Sequence, residues 1–362
     1  MMSGNVERSV FGTLSTGLTV ECVSLAWPGG LEVRIITLGA AVQALFVPDA
    51  AGERADVVLG HDDPEDYMAD RQFFGATIGR FSNRIAGARF QLDGEAVQLL
   101  ANEGANVLHG GQEGFDHKLW TIEDLVAEPE PFVRLSLVSP DGDQGFPGAL
   151  KASVTYRLTA PTELSMTFEA TADRPTVVGM THHGYFNLGG VEHPHSVLDH
   201  HLHIPAERFL AVKAGLIPDG EPRFVDGTPF DFRQSKPIGR DLRHVDEQVL
   251  IAHGIDHCFC LSDQASEEPR LIARLEDPHS GRVLELLSDQ PGLQFYTGNM
   301  LDGSWAGKYG QIARQGDALC LEPQAWPDAP NRLDFPSARL DPGETYRHRS
   351  IYRFSAETTG AR

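Results

Sequence analysis

ASVTYRLTAPTELSMTFEA (residues 152–170) alternates apolar and polar side chains in two runs, with Pro161 in the gap between them. Alternation of this kind puts one face of a strand into a core and the other toward water. Two such runs joined by a short proline-containing gap read as a β-hairpin. The same period recurs outward in both directions: FVRLSLV (132–138) before it, and 271–275, 283–287, 293–296 and 318–322 after it. LEVRII (31–36) starts another strand near the front, and 77–85 is a denser stretch rich in glycine, arginine and asparagine. Turn residues punctuate these runs at WPGG (27–30), PDAAGE (48–53), SPDGDQGFPG (139–148), IPDGEP (217–222) and DPGE (341–344). Only PEDYMA (64–69) suggests a helical turn. Many short strands at this spacing predict an all-β protein, a large antiparallel β-sandwich. The chain has 362 residues, without an internal repeat or a break in composition. A single domain over 1–362 is the expectation.

The composition, 41% hydrophobic and 22% charged, suits a globular protein with a large core. A net charge of −21 repels phosphates and anionic lipid headgroups, so neither nucleic acid nor a membrane is an expected partner. That charge is compatible with a neutral small molecule. The first residues lack the basic and apolar regions of a secretory signal, and no run of 18 apolar residues occurs. Cys22, Cys258, Cys260 and Cys320 show no CxxC spacing, which favours buried free thiols and a cytoplasmic address.

Polar residues gather in a few segments. GRFSNRI (79–85) carries Arg80, Asn83 and Arg84 among turn residues, as a solvated loop or a site for hydroxyls or an anion would. His109 precedes two glycines in NVLHGG (106–111). In THHGYFNLGG (181–190), an extended chain puts His183 on one face with Thr181, Tyr185 and Asn187, all polar. His182 falls on the other face with Met180, Phe186 and Leu188, and reads as a packed histidine whose nitrogens are satisfied locally. Asp256 and His257 lead into an apolar run in GIDHCFCL (254–261). Gln294 and Tyr296 share a face in QPGLQFYTGN (290–299). In LEPQAWPDAPN (321–331), Cys320 and Glu322 oppose Leu319 and Leu321, and Pro323 requires the strand to end, bulge or lie at an edge. Seven of the fifteen histidines fall within 181–203, and His201 and His203 on one strand face would suit a metal. A loop entering a strand is the simpler reading of that segment.

Taken in order, these segments resemble the aldose 1-epimerases, the galactose mutarotase family. The likeness runs from about Phe11 to Phe354 and includes Trp120, GFPG (145–148), LIPDGEP (216–222), GTPFDFR (227–233) and PGETY (342–346). It implies a β-sandwich with the sugar in an open cleft, and interconversion of the α and β anomers of a free aldose such as D-glucose or D-galactose. It implies no cofactor and no metal, and a monomer or homodimer with an aldose as its small-molecule partner. The family's histidine acid falls on His183 and its glutamate base on Glu322. Its sugar-binding residues fall on Asn83, Arg84, His109, Asp256 and Gln294, and Tyr185 joins them from the polar face of His183. His182 stands where the family usually has asparagine, Gly184 where it has serine or threonine, and Pro323 where it has threonine. Such an acid–base pair implies an ionised Glu322, favoured by a nearby Arg84, and a His183 able to hold a proton near neutrality. The alternatives are a hexose-6-phosphate 1-epimerase, which needs a cationic pocket for which Arg80 and Arg84 are the candidates, and a non-catalytic carbohydrate-binding sandwich.

Overall fold

The computed structural model describes residues 4–69 and 71–357. The expected hairpin forms: Leu150–Ala160 and Glu163–Ala172 pair antiparallel, with Val154 opposite Phe168. It sits inside a nine-stranded antiparallel sheet running from Thr121–Val126 at one edge through Tyr346–Ala356 to Lys236–Pro237 at the other. A second sheet has six strands, in the order Tyr185–Phe186, Leu319–Gln324, Gly292–Tyr296, Asp256–Cys260, Arg208–Phe209, Arg223–Phe224. A five-stranded sheet covers Asn5–Asp56. The fold is all-β, as the alternation predicts, and the helix at Pro64–Ala69 falls where PEDYMA predicts it. A second short helix, Glu247–Ala252, has no counterpart in the sequence reading.

The sheets meet through one large apolar cluster. Tyr156, Phe168 and Tyr352 from the nine-stranded sheet face Leu293, Phe295, Leu319, Leu321 and Phe259 from the six-stranded one. Those five residues alternate along their strands, so their neighbours project to the opposite face. Cross-strand register then sets that face in rows. Cys258 lies opposite Gln294 and Gln294 opposite Glu322. Asp256 lies opposite Tyr296, Tyr296 opposite Cys320, and Cys320 opposite Tyr185. One face builds the core, and the other carries Tyr185, Asp256, Gln294 and Glu322 from among the polar residues that the sequence singles out.

Pro323 takes the edge position, one of the alternatives the sequence offers. The strand neither ends nor bulges there but continues to Gln324. The ladder with Tyr185–Phe186 covers only Leu319 and Cys320, so on that side nothing calls on residue 323 for an N–H. Its carbonyl is used instead, by the Thr181 hydroxyl at 2.7 Å.

Candidate active site

A cleft of about 650 Å³ opens over the polar face of the six-stranded sheet. Asn83, Arg84, His109, His183, Tyr185, Asp256 and Glu322 all line it. Gln294 lies between Asp256 and Glu322, behind the wall, and its Nε2 donates to Asp256 Oδ1 at 2.6 Å. Its Oε1 is buried without a hydrogen-bond partner among the described residues, as is Glu322 Oε2. Buried acceptors left unpaired are costly unless something else satisfies them.

His183 reaches the cleft from the strand Thr181–His183, which pairs with Ala76–Ile78. Its Nε2 lies 3.8 Å from Glu322 Oε1. Its ring stacks on Tyr185 at 5.1 Å and on Phe73 at 5.6 Å, and meets His109 edge-on at 5.1 Å. His182 points the other way, edge-on to Phe186 and Tyr352. The two histidines therefore divide between the faces as the alternation predicts. His182 is less well satisfied than expected, however. Nδ1 makes one long contact with the Tyr352 hydroxyl at 3.4 Å, and buried Nε2 has no partner among the described residues. Burial holds its pKa down at about 3, so this ring stays neutral.

The unusual Gly184 has a physical reason in the same ring. A Cβ there would lie 2.5 Å from His182 Cε1 and 2.9 Å from Phe186 Cε2. The imidazole occupies the space that a side chain at 184 needs, so the two departures from the family pattern go together. Gly184→Ala should lower stability by about 1–3 kcal/mol through overpacking. Thermal unfolding of Gly184→Ala with and without His182→Asn checks this. The smaller second side chain should restore most of the loss.

His109 and Asn83 are interlocked. His109 N–H donates to the Asn83 carbonyl at 2.9 Å, and Asn83 N–H donates to His109 Nδ1 at 3.1 Å. A backbone N–H can only donate, so Nδ1 is the acceptor and the ring proton sits on Nε2. His109 is thus a neutral donor, and burial, with the charges of His183, Arg84 and Arg71 adding to it, holds its pKa well below the usual histidine range. Both residues have left-handed backbone, φ 59° at Asn83 and 51° at His109, a conformation that clusters at functional sites.

Electrostatics depart from the sequence reading at the acid–base pair. Arg84 spends two donors on Glu103, both at 2.7 Å, and its Nη1 lies 4.0 Å from Asp256. Burial pushes the Glu322 carboxyl well above its usual range, Asp256 pushes it further, and Arg84 opposes both without prevailing. Burial pulls His183 down to about 4. The isolated pair therefore favours its neutral form, a protonated carboxyl beside a neutral imidazole, where the sequence suggested an ionised glutamate. The reason is desolvation, which a sequence does not display.

Arg80 is not in the cleft. Its guanidinium is buried against the 139–148 loop, donating to the carbonyls of Pro147 at 2.9 Å and Gly148 at 2.8 Å, and to Ser139 Oγ at 2.6 Å. Among the described residues, the arginines that line the cleft are Arg84 and Arg71, and Arg71 is paired with Asp116 at 3.1 Å. The histidines of 181–203 disperse: His200 is buried beside Asp277, and no group of three or more metal-ligating side chains forms among the described residues. Phe73, Arg71, Glu103 and Cys320 belong to the site or its support, and the sequence reading passed over all of them as site residues. Cys320 alone carried a signal, its place on the Glu322 face.

The family described as aldose 1-epimerase matches residues 21–353. Galactose mutarotase of Bos taurus is 45% identical over 352 residues, 97% of this chain and 99% of that protein. Aldose 1-epimerase of Escherichia coli (strain K12) is 38% identical over 343 residues, 94% of this chain and 97% of that protein. The crystal structure of galactose 1-epimerase from Lactobacillus acidophilus aligns with a TM-score of 0.84 at 27% identity, covering 98% of this chain and 99% of that one.

Proposed function

Because this chain belongs to the aldose 1-epimerase family and is an isomerase acting on carbohydrates with aldose 1-epimerase activity, we propose that Glu322 and His183 are its base and acid. The observation that carries this reading is the 3.8 Å separation of His183 Nε2 and Glu322 Oε1 across a cleft wall with unpaired acceptors. Mutarotation opens the pyranose by removing a proton from the anomeric hydroxyl while the ring oxygen receives one. The two oxygens sit on one hemiacetal carbon, so groups this close can each address one of them. Rotation about C1–C2 and the reverse transfers then close the other anomer.

The pair holds one proton between them throughout. Neutral carboxyl with neutral imidazole, and carboxylate with imidazolium, differ only in where it sits. Burial favours the neutral arrangement in the free enzyme. An anomeric hydroxyl donating to the carboxylate and a ring oxygen accepting from the imidazolium favour the charged one, so charge develops when a sugar is in place. The acid limb of kcat/KM should appear as a second proton enters the pair, near the His183 value of about 4. Activity should fall again at high pH as the raised Glu322 carboxyl gives up its proton. A pH profile with an acid limb near the ordinary histidine value of about 6.5 would contradict this arrangement.

We assign Asn83, Arg84, His109, Tyr185, Asp256 and Gln294 to binding of the sugar. His109 offers a fixed Nε2–H to a hydroxyl, and Gln294 orients Asp256. The substrates we propose are free aldoses such as D-galactose and D-glucose. The cleft arginines are already paired with Glu103 and Asp116, and Asp256 stands beside Arg84, so a sugar phosphate meets neutralised arginines rather than a free cation among the described residues. Polarimetry of freshly dissolved α-D-galactose or α-D-glucose should show accelerated change, with glucose 6-phosphate turned over at least about tenfold less efficiently, the discrimination expected from about 1.4 kcal/mol of charge repulsion. Preference for the phosphate would overturn the assignment.

We further propose that the chain is one folding unit, since its largest apolar cluster draws on residues from Val23 to Phe354; the outermost residues of the 1–362 span lie outside the described ones. The free, buried thiols fit a cytoplasmic address. Among the described residues, no helix is long and apolar enough to cross a membrane.

A further inference from the structure

Cys320 is fully buried on the Glu322 strand and takes no part in the proton transfers described above. Its sulfur lies 3.6 Å from Nδ1 of His183. Nε2 of the same ring is the nitrogen that faces Glu322. The ring nitrogens thus have separate partners, and the partner of one decides the protonation of the other. We propose that Cys320 is a positioning residue: its sulfur accepts the Nδ1 proton of His183, leaving Nε2 as the nitrogen that releases and recovers a proton. The inference rests on His183 being the proton donor.

Proton counting requires this direction. An imidazolium carries a proton on each nitrogen. When Nε2 gives its proton to the ring oxygen, the neutral ring that remains is protonated on Nδ1, and Nε2 is free to take the proton back. A neighbour that could only donate to Nδ1 would trap the other tautomer and idle Nε2. The thiol avoids that trap. It also contacts the hydroxyl of Tyr185, the residue opposite it in register. The Tyr185 hydroxyl donates to the sulfur, which keeps a second lone pair for Nδ1–H when its own S–H is turned from the ring. Burial pushes the thiol pKa well above its usual range, so the thiol adds no fixed charge. A carboxylate in this place would hold the imidazolium firmly and weaken it as an acid. A thiol is a weak acceptor that orients the ring and leaves it acidic. The carbonyl of His183 itself also accepts from the ring, besides the Gly75 N–H at 2.9 Å, and its second lone pair and the sulfur share Nδ1–H.

His109 supplies an internal contrast, since the Asn83 N–H fixes it as the Nε2–H tautomer. Two imidazoles 5.1 Å apart are therefore expected in opposite tautomers. Long-range ¹H–¹⁵N spectra of the full chain labelled with ¹⁵N-histidine read both without turnover. In the wild type, His183 should carry its proton on Nδ1 and His109 on Nε2. Cys320→Ala should shift His183 toward Nε2–H and lower kcat about tenfold with KM little changed, well short of the ~10⁴-fold loss when a charged orienting carboxylate is taken from a catalytic histidine. Cys320→Ser should keep the Nδ1–H form and lose less rate than Cys320→Ala. A wild-type His183 protonated on Nε2, or an unchanged tautomer in Cys320→Ala, overturns the proposal. Failure of His183 as the acid would show separately, as full activity in His183→Asn.

Discussion

Glu322→Gln lowers kcat for anomer interconversion by about 10²–10⁴-fold, the range a positioned general base supplies, while the protein stays folded. Glutamine keeps the size of the side chain and its place on a fully buried strand, so the core beneath is undisturbed. It cannot take the anomeric proton. The same substitution removes a carboxyl whose proton burial holds tightly, so the alkaline limb of the pH profile should vanish from the residual activity. Initial rates by polarimetry, with circular dichroism to verify folding, test both statements. A Glu322→Gln protein with wild-type kcat would remove the base from the account.

His183→Asn should cost a comparable factor, about 10²–10⁴-fold, because the ring oxygen loses its proton source. His182→Asn is the informative partner. That ring lies on the core side and touches Tyr352 and Phe186, not the cleft, so its loss should leave the chemistry largely in place and change stability instead. The two variants differ by one position in sequence and by the whole thickness of a strand in space. A crippling His182→Asn beside an active His183→Asn would mean that the faces are exchanged.

Much of this site was legible because it is built on alternation. LCLE (319–322) separates two leucines for the core from Cys320 and Glu322 on the other face, where Glu322 lines the cleft and Cys320 is buried against His183. Gln294, Tyr296 and Asp256 follow by register from the same sheet. What stayed hidden belongs to loops and to tertiary electrostatics. Phe73 stacks on His183 from a left-handed backbone, φ 61°, that no period announces. Glu103 captures Arg84 across nineteen residues, which turns an expected helper of Glu322 into half of an ion pair. The helix Glu247–Ala252 is too short for periodicity to mark, although Asp246 caps it by accepting from Gln248 and Val249 N–H. The reason for Gly184 is equally tertiary: the His182 ring occupies the space of its missing Cβ.

The central claim is that one carboxyl and one imidazole act as a unit on an unphosphorylated sugar. It is tested most directly by the initial anomerisation rate of fresh α-D-galactose with wild type, Glu322→Gln, His183→Asn and the double variant at equal concentration. Groups that act as a unit are non-additive, so each single variant should lose about 10²–10⁴-fold and the double variant little more than the worse single one. Either single variant turning over α-D-galactose at the wild-type rate, or losses that multiply in the double variant, would contradict it.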